Sequence, residues 1–278
     1  MIDLHLHTTA SDGRCEPRQI AAVARRARLS TISVTDHDTV AGLGEAAAAC
    51  EREGLELIAG IEITAIQDDE DVHVLGYFFD PRHPALTEFL ASQRADRRRR
   101  FQEMADRLTV LGLPVDVQAA LDGYAGDDTS VGRPLLARAM VRAGHVRSTR
   151  EAFDLYLAEH MPAWVPRRAP GPAAVIALLH EAGGIAAVAH PALLGHDEWL
   201  PPLAAAGMDA IEVYYSDHSP EMTLHYRELA ERLCVGASGG SDYHGDPAHG
   251  PERPGQCVLP PEAFEDLRRR ASARSAPR

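Results

Sequence analysis

The chain has little of what long nucleic-acid binders, secreted proteins and membrane proteins need. Its 278 residues carry a formal net charge of −13, which excludes a broad basic surface that would neutralise the phosphates of long duplex nucleic acid. Its four cysteines show no CxxC spacing, so reduced thiols are favoured over a disulfide framework. The N-terminus has no basic and apolar leader, and no stretch approaches the ~18 apolar residues of a membrane span. These absences predict a soluble, cytoplasmic protein with no membrane partner.

The patterns that are present alternate between strand-like runs and helical stretches. Seven runs predict strands: Ile2–His7, Thr31–Thr35, Leu57–Thr64, Val72–Phe78, Ile185–His190, Ala210–Tyr214 and Cys234–Ala237. Four helical patterns lie between them: Pro17–Leu29, Val40–Glu53, Pro172–Ala182 and Pro220–Leu233. This alternation predicts an α/β protein with a parallel sheet or barrel. The 45% hydrophobic content is ample for its core.

The alternation breaks in the middle of the chain, where helical patterns follow one another without a strand between them. They are Leu86–Leu111, Val117–Tyr124, Pro134–Ala143 and Arg150–His160. We interpret residues 84–165 as a helical insertion that forms a substrate lid, and residues 1–83 and 166–278 as the barrel. The basic, small-residue tail from Arg268 to Arg278 predicts a frayed end.

Nine side chains that can bind a metal fall at or just past the predicted strand ends. They are His5, His7, Asp12, His37, Glu62, His73, His190, Asp242 and His244. In a β/α barrel the carboxyl ends of the strands share one mouth, where active sites assemble. A structural zinc ion would need only four ligands, often cysteines in close pairs. The set therefore predicts a catalytic cluster of two or three divalent ions. Nitrogen and carboxylate donors together suit Mn, Zn or Fe(II) better than Mg or Ca.

Several divalent ions in one site are typical of phosphate ester hydrolysis. Two ions about 3.5–4 Å apart can lower the pKa of a bridging water and stabilise both the attacking and the leaving oxygen. No serine or cysteine nucleophile is then required, and the sequence has no GxSxG elbow. His196 and His218 each follow a predicted strand and are candidates for the general acid, with substrate hydrogen bonding or a plain loop position as alternatives. Asp36 and Asp38, on either side of a predicted ligand, are interpreted as residues that orient ligands or form turns.

The helical insertion carries the residues predicted to bind the substrate. Thr129, Ser130 and Arg133 stand near a predicted helix start, a position that suits an anion, although Ser130 could simply cap the helix. Arg97 belongs to a run of four arginines on a long predicted helix. Arg168 lies on the linker that returns to the barrel. The alternative for both of these arginines is a solvent-facing charge.

The metal-binding motifs resemble those of the polymerase and histidinol phosphatase (PHP) family. HLH at 5–7, TDH at 35–37, AHP at 189–191 and SDYH at 241–244 look like its four signature motifs, and Glu62 and His73 match its two intervening ligands. The resemblance implies a distorted (β/α)7 barrel, with manganese as the first choice of metal. It also implies three ions, held respectively by His5, His7, Glu62 and Asp242, by Glu62, His73 and His190, and by Asp12, His37 and His244.

The middle segment is similar to one branch of that family, which acts on nucleoside 3′,5′-bisphosphates and short 5′-phosphorylated RNA. GRP at 132–134, EAFDLYL at 151–157 and PAWVP at 162–166 carry this resemblance. The leading hypothesis is a metal-dependent phosphoesterase that removes the 3′ phosphate of pAp-type nucleotides by metal-activated hydroxide attack on phosphorus. Short single-stranded RNA, trimmed 5′ to 3′, is a further candidate substrate. A histidinol-phosphate phosphatase is the alternative, and a non-catalytic PHP scaffold module is the second alternative.

Overall fold

Seven strands curl into a nearly closed barrel. The computed structural model describes residues 1–122, 124, 126, 128–245 and 254–275. The strands are hydrogen-bonded in chain order: β1 Ile2–Leu6, β2 Thr31–Val34, β3 Glu56–Gln67, β4 Glu70–Tyr77, β5 Ile185–Val188, β6 Ala210–Tyr215 and β7 Gly236–Gly240. Leu6 of β1 pairs with Tyr243, just beyond β7. This confirms the predicted seven-stranded α/β barrel.

Helices connect the strands and cover the sheet. Those of the described residues are α1 Ile20–Arg26, α2 Leu43–Glu53, α3 Pro84–Val110, α4 Val117–Ala120, α5 Arg133–Arg142, α6 Thr149–Ala152, α7 Pro172–Glu181, α8 Pro191–Leu194, α9 Leu200–Ala205, α10 Pro220–Arg232 and α11 Pro261–Ser275. Proline opens α7 and α10, where its missing N–H costs nothing. Gly54 closes α2 with a left-handed φ of 66°.

Strand β4 runs opposite to the predicted direction. The pairs β1–β2, β2–β3, β5–β6 and β6–β7 are parallel, but β4 is antiparallel to both β3 and β5. Asp68 and Asp69 join β3 to β4 in a two-residue turn, with φ values of 50° and 69° that match a tight hairpin. The prediction of a uniformly parallel sheet was wrong here, because a parallel pair needs a crossover and this connection has no room for one.

The apolar interior divides into separate clusters. One lies between the sheet and its helices and includes Ile20, Ile61 and Leu90. Another is confined to residues 101–165. The long helix α3 contributes to both, because its first turns pack on the barrel and its later turns pack on α5 and the segments that follow. The helical segment thus has a core of its own, carried on the barrel by α3.

The C-terminal tail is helical wherever the structure describes it. The predicted frayed end from Arg268 to Arg278 was wrong up to Ser275, where α11 ends; residues 276–278 lie outside the described part. Leu267 and Ala271 of α11 pack in an apolar cluster with the sheet, and Arg274 forms an ion pair with Asp209 at 2.7 Å.

The cysteines agree with their spacing in the sequence. All four cysteines are free thiols, as expected. Within the described residues, no helix combines the length and the apolar character that crossing a membrane requires.

Candidate metal centre

All nine predicted ligands meet at one end of the barrel. Three overlapping sets have potential ligand atoms within 4.8 Å of one another: His7, Asp12, His37 and His244; His5, His7 and Asp242; and His37, Glu62 and His73. His190 joins them, because its Nε2 lies 3.1 Å from Glu62 Oε1. The fold therefore brings residues from six separate stretches of the chain together in one cluster.

Glu62 lies at the middle of this cluster. Its Oε1 is 2.8 Å from His73 Nδ1 and 3.1 Å from His190 Nε2. Its Oε2 is 3.0 Å from His37 Nδ1 and 3.3 Å from His7 Nε2. The two carboxylate oxygens thus face two different sets of imidazoles. This arrangement suits a carboxylate shared between two ions.

Two aspartates complete the cluster on either side of Glu62. Asp242 Oδ1 is 3.2 Å from His5 Nε2 and 3.1 Å from His7 Nε2. Its other oxygen accepts a hydrogen bond from the Tyr215 hydroxyl at 3.1 Å, which fixes the direction of the carboxylate. Asp12 Oδ1 is 3.4 Å from His244 Nε2.

Burial leaves many of these atoms without a hydrogen bond. Those with no partner of acceptable geometry are His5 Nε2, His7 Nδ1 and Nε2, His37 Nδ1, Glu62 Oε2, His190 Nδ1 and Asp242 Oδ1. Each unpaired buried polar atom costs about 1–3 kcal/mol, and cations bound between these atoms would remove that cost. Burial raises the pKa values of the Glu62 and Asp12 carboxyls, but the surrounding histidines lower them by more. Both pKa values therefore lie well below their usual range. The residues present therefore fit a group of divalent metal ions.

Glu62 and His73 lie within strands β3 and β4 and not at strand ends, where all nine ligands were predicted. Strand β3 pairs with β2 only from Glu56 to Ala59 and then continues as a hairpin with β4. Both side chains belong to that hairpin, in which Glu62 pairs with Leu75. The expectation was wrong for these two residues because the hairpin extends past the part of β3 that pairs with β2.

The aspartates on either side of His37 each hold a neighbouring segment in place. Asp36 accepts hydrogen bonds from the Thr8 amide at 2.8 Å and from the Thr8 and Ser11 hydroxyls at 2.6 Å each. It thereby fixes the loop that carries Asp12. Asp38 accepts from the Thr64 amide at 3.0 Å, in the β3–β4 hairpin.

Glu212 is a functional residue that the sequence did not single out. It is fully buried on β6. Its Oε1 accepts a hydrogen bond from His5 Nδ1 at 2.8 Å, and its Oε2 accepts from the His190 amide at 2.6 Å. The first bond turns His5 Nε2 toward the cluster, as carboxylates behind metal-binding histidines do. The second holds His190 at an uncommon backbone φ of 27°. Its one signal was an acidic residue within the apolar strand AIEVYY.

The cluster opens into a cavity whose other wall comes from the helical segment and the return linker. Asp12, His37 and His73 line one side. The other side carries four arginines and three apolar side chains: Arg97, Arg100, Arg133, Arg167, Phe101, Met104 and Phe153.

Two aspartates pair with three of these arginines. Asp38 Oδ2 is 2.5 Å from Arg97 Nε and 3.3 Å from Arg167 Nη1. Asp71 is 3.5 Å from Arg167 Nε and 3.3 Å from Arg133 Nη2. Burial raises the pKa of Asp71, but the charges of Arg167 and Arg133 lower it by more, so that its pKa is about 2. Four arginines against two aspartates leave an excess of two positive charges beside the metal ligands, which suits a phosphate.

The arginine run of α3 divides by helical period. Arg94, Arg97 and Arg100 are buried on one face, whereas Arg98 and Arg99 are directed elsewhere and bond to Tyr124 O and Asp96. Arg97, a predicted substrate residue, does line the cavity. Arg100 was missed, although the i, i+3 spacing in the sequence could have identified it. Burial lowers its pKa to about 9, so it remains charged at neutral pH.

Three other predicted substrate residues are not among the described residues that line the cavity. Arg168 is exposed and its amide donates to Asp96 Oδ2 at 3.1 Å, whereas its neighbour Arg167 lines the cavity. The Thr129 hydroxyl donates to Gly126 O at 2.9 Å. Ser130 is buried, and its amide donates to Ala10 O at 2.9 Å. Neither caps α5, because the residue that precedes this helix is Gly132.

The two candidate acids also lie outside the described cavity lining. The His196 ring stacks on Trp199 with a centroid distance of 4.1 Å. His218 Nδ1 donates to Val213 O at 3.0 Å, and its ring lies 5.3 Å from that of Tyr215. His218 is therefore linked to Asp242 only through Tyr215, whose hydroxyl donates a hydrogen bond to Asp242.

A cluster of this composition at the mouth of a β/α barrel, beside an arginine-lined cavity, defines a metal-dependent phosphoesterase. Residues 3–129 match the PHP domain family. The chain is 34% identical over 248 residues to a 5′-3′ exoribonuclease of Haemophilus influenzae, covering 87% of this chain and 89% of that protein. It is 32% identical over 248 residues to a 3′,5′-nucleoside bisphosphate phosphatase of Chromobacterium violaceum, covering 87% of each.

A solved structure shows the same likeness. A Bifidobacterium adolescentis protein assigned as a metal-dependent phosphoesterase superposes with a TM-score of 0.88 at 32% identity, over 99% of this chain and 96% of that one. The chain belongs to the PHP family, and the resemblance identified from its motifs is confirmed.

Proposed function

We propose that the protein hydrolyses the 3′ phosphoester of nucleoside 3′,5′-bisphosphates, and that it also trims short 5′-phosphorylated oligoribonucleotides from the 5′ end. The bond between phosphorus and the 3′ oxygen is the one cut in both substrates. The observation that carries the proposal is one cavity bounded by two groups of side chains that are each suited to a phosphate. The nine-residue cluster forms one, and the arginines of α3, α5 and the return linker form the other.

The relatives support this choice of substrate. One is named for 5′-3′ exoribonuclease activity and another for nucleoside 3′,5′-bisphosphate hydrolysis. Both reactions need a site that binds two phosphates of one substrate. Histidinol phosphate, the alternative substrate, has a single phosphate and would leave the arginine side of the cavity unused. A non-catalytic scaffold is disfavoured because all nine potential ligands are present and converge.

The proposed metal ligands are the nine clustered side chains. One ion would be held by His5, His7, Glu62 and Asp242, a second by Glu62, His73 and His190, and a third by Asp12, His37 and His244. The mix of imidazole nitrogen and carboxylate oxygen suits Mn²⁺, Zn²⁺ or Fe²⁺, and we propose Mn²⁺ first because of the resemblance to the PHP family. Ions held there would supply a hydroxide at neutral pH and would neutralise charge on the phosphoryl oxygens.

The side chains around the cluster would position the substrate. Arg133 and Arg167 lie within reach of the cavity and would bind the 5′ phosphate, with Asp71 keeping their guanidinium groups in place. Phe101 and Phe153 line the cavity and would exclude water from the reacting phosphate. In this proposal residues 84–165 act as the lid. His218 is the better placed of the two candidate acids, because its ring contacts Tyr215.

Steady-state assays with Mn²⁺-loaded protein test the proposal. Phosphate release would be measured from adenosine 3′,5′-bisphosphate, adenosine 3′-phosphate and histidinol phosphate. We expect the highest kcat/KM for the bisphosphate, and a lower value for the 3′-monophosphate because it lacks the group that the arginines bind. A preference for histidinol phosphate would support the alternative, and no release from protein with confirmed bound metal would support the scaffold.

A further inference from the structure

Arg100 differs from the other three arginines of the cavity, because it has no carboxylate partner. The other three each form an ion pair with Asp38 or Asp71. In the described part of the chain Arg100 forms none, and its one hydrogen bond runs from Nε to the backbone oxygen of Val165 at 3.0 Å. Its two Nη groups therefore keep their N–H donors for a ligand.

Helix α3 and the return linker hold Arg100 in a fixed place. The residue is only 5% exposed, yet it lines the cavity together with Arg97 and Met104. These two lie about one helical turn before and after it, on the same face of α3. The bond from Nε to Val165 ties the guanidinium to the linker. The donors of Arg100 are thus placed in the cavity before any ligand binds.

No contact within the described protein offsets the burial of this charge. Burial foremost, and then the charges of Arg167, Arg133 and Arg97, lower the pKa of Arg100, and the charge of Asp71 offsets this only in part. Buried cations are ordinarily paired with an anion, because removing an unpaired charge from water costs free energy. An anionic ligand would supply the missing partner. Arg100 therefore suits ligand binding better than a purely structural role.

The spacing along β4 relates Arg100 to the metal ligands. Asp71 and His73 are alternate residues of that strand, so their side chains share one face and their Cα atoms lie about 7 Å apart. Asp71 belongs to the arginine side of the cavity and His73 to the metal cluster. One nucleoside with phosphates on its 3′ and 5′ oxygens can bridge two sites at such a separation.

We propose that Arg100 binds the phosphate that stays on the nucleotide after hydrolysis, and that it thereby determines the preference for substrates with a 5′ phosphate. This inference rests on the proposed function. The two Nη groups can donate side by side to two phosphate oxygens. Phe101 and Phe153 line the same cavity and would strengthen this contact by excluding water. Arg133 and Arg167, already engaged by Asp71, would contact the phosphate from the side.

Binding of adenosine 5′-phosphate tests the role of Arg100. This compound has the 5′ phosphate but no 3′ phosphoester, so its binding to the Mn²⁺-loaded protein can be measured by isothermal titration calorimetry. We expect Arg100→Met to raise its Kd by about ten- to a hundredfold, the factor for losing a hydrogen-bonded charge. Arg100→Lys keeps the charge but not the paired donors, and should raise the Kd by about three- to tenfold. The Kd of adenosine, which has no phosphate, should stay unchanged in both variants.

Arg107→Met is the matched control. Arg107 also lies on α3 and donates from Nη1 to the backbone oxygen of Trp164, next to Val165. It is exposed, however, and is not among the described residues that line the cavity. The control should keep the Kd of adenosine 5′-phosphate within about twofold of wild type. Arg100→Met should melt no lower than the control, because it loses a similar bond but also removes a buried charge without a partner.

Steady-state assays separate the phosphate bound by Arg100 from the phosphate at the metal ligands. Arg100→Met should raise KM for adenosine 3′,5′-bisphosphate at least about tenfold and change KM for adenosine 3′-phosphate less than about twofold. Equal KM effects on both compounds would overturn the proposal. If wild type cuts neither compound, the proposed function fails, and weaker binding of adenosine 5′-phosphate by Arg100→Met than by Arg107→Met still supports the inference.

The binding data alone can also refute the role of Arg100. An unchanged Kd of adenosine 5′-phosphate in Arg100→Met, an equal loss of affinity in Arg107→Met, or no binding by wild type would each overturn it. If Arg100→Met does not fold, Arg100→Lys replaces it in the comparison, and an unchanged Kd in that variant overturns the proposal in the same way.

Discussion

Replacing Glu212 tests how the chain orients its metal ligands. One carboxylate oxygen accepts a hydrogen bond from His5 Nδ1 at 2.8 Å and the other accepts from the His190 amide at 2.6 Å. Glu212→Gln keeps the shape but replaces one acceptor by an NH₂ group, so only one of the two bonds survives. Glu212→Ala removes both and leaves two buried donors without partners.

The size of the effect follows from those two bonds. An unpaired buried donor costs about 1–3 kcal/mol, so Glu212→Ala should lower the free energy of unfolding by roughly 2–6 kcal/mol. Loss of the carboxylate behind a metal-binding histidine lowers metal affinity about 10–100-fold. We expect Glu212→Gln near the lower and Glu212→Ala near the upper end of that range. The KM for substrate should stay unchanged, because Glu212 is not among the described residues that line the cavity.

The assay titrates Mn²⁺ into metal-free protein and follows bound metal by elemental analysis and electron paramagnetic resonance, with urea unfolding in parallel. Asp209→Asn is the matched control. Asp209 directly precedes the same strand, β6, and accepts hydrogen bonds from His180 Nε2 at 2.8 Å and the Ala186 amide at 2.9 Å. It should lose stability but keep wild-type Mn²⁺ affinity. Equal losses of affinity in both variants, or wild-type affinity in Glu212→Ala, would refute the orienting role.

Three further predictions address the cavity, the closure of the barrel and the pH dependence of folding. Arg133→Ala should raise KM for the 3′,5′-bisphosphate about tenfold more than for the 3′-monophosphate, whereas exposed Arg168→Ala should change neither; equal KM effects on both substrates would count against a 5′-phosphate clamp. Gly240→Ala should lower the melting temperature and weaken Mn²⁺ binding, because the added Cβ would overlap the backbone nitrogen of His5 in β1; an unchanged melting curve would contradict this close packing. Burial raises the pKa of Asp209, but its hydrogen bonds, that from His180 foremost, lower it below the ordinary value. Its charge therefore stabilises the fold above the unfolded-state pKa of about 3.9 and ceases to do so as the pH falls through the lower folded-state value. In urea unfolding, the stability gap between wild type and Asp209→Asn should be constant near pH 7 and narrow below about pH 4; a gap independent of pH would refute it.

The metal centre could be predicted from the sequence because its ligands occupy positions that the barrel brings together. HLH ends one predicted strand and SDYH comes shortly after another, and the carboxyl ends of parallel strands share one mouth. The direction of β4 was not readable in the same way. Val72–Phe78 has the apolar pattern of any buried strand, and only the tight turn at Asp68 and Asp69 distinguishes a hairpin from a crossover.

The cavity arginines show which residues of the site could be predicted from the sequence and which could not. On α3 the helical period determines which arginines are buried together, so Arg97 and Arg100 could both have been predicted. On the return linker no regular period exists, and whether Arg167 or Arg168 faces the cavity depends on tertiary packing. Glu212 lies 207 positions from His5, and a pairing at that separation leaves no local pattern in the sequence.

The number and position of metal ions in the purified protein test the central claim most directly. Elemental analysis gives the count, and anomalous diffraction from crystals grown with Mn²⁺ gives the positions. We predict two or three ions per chain, each about 2.0–2.3 Å from side-chain atoms of the nine clustered residues. A single ion, no ion, or ions bound to other residues would contradict the account.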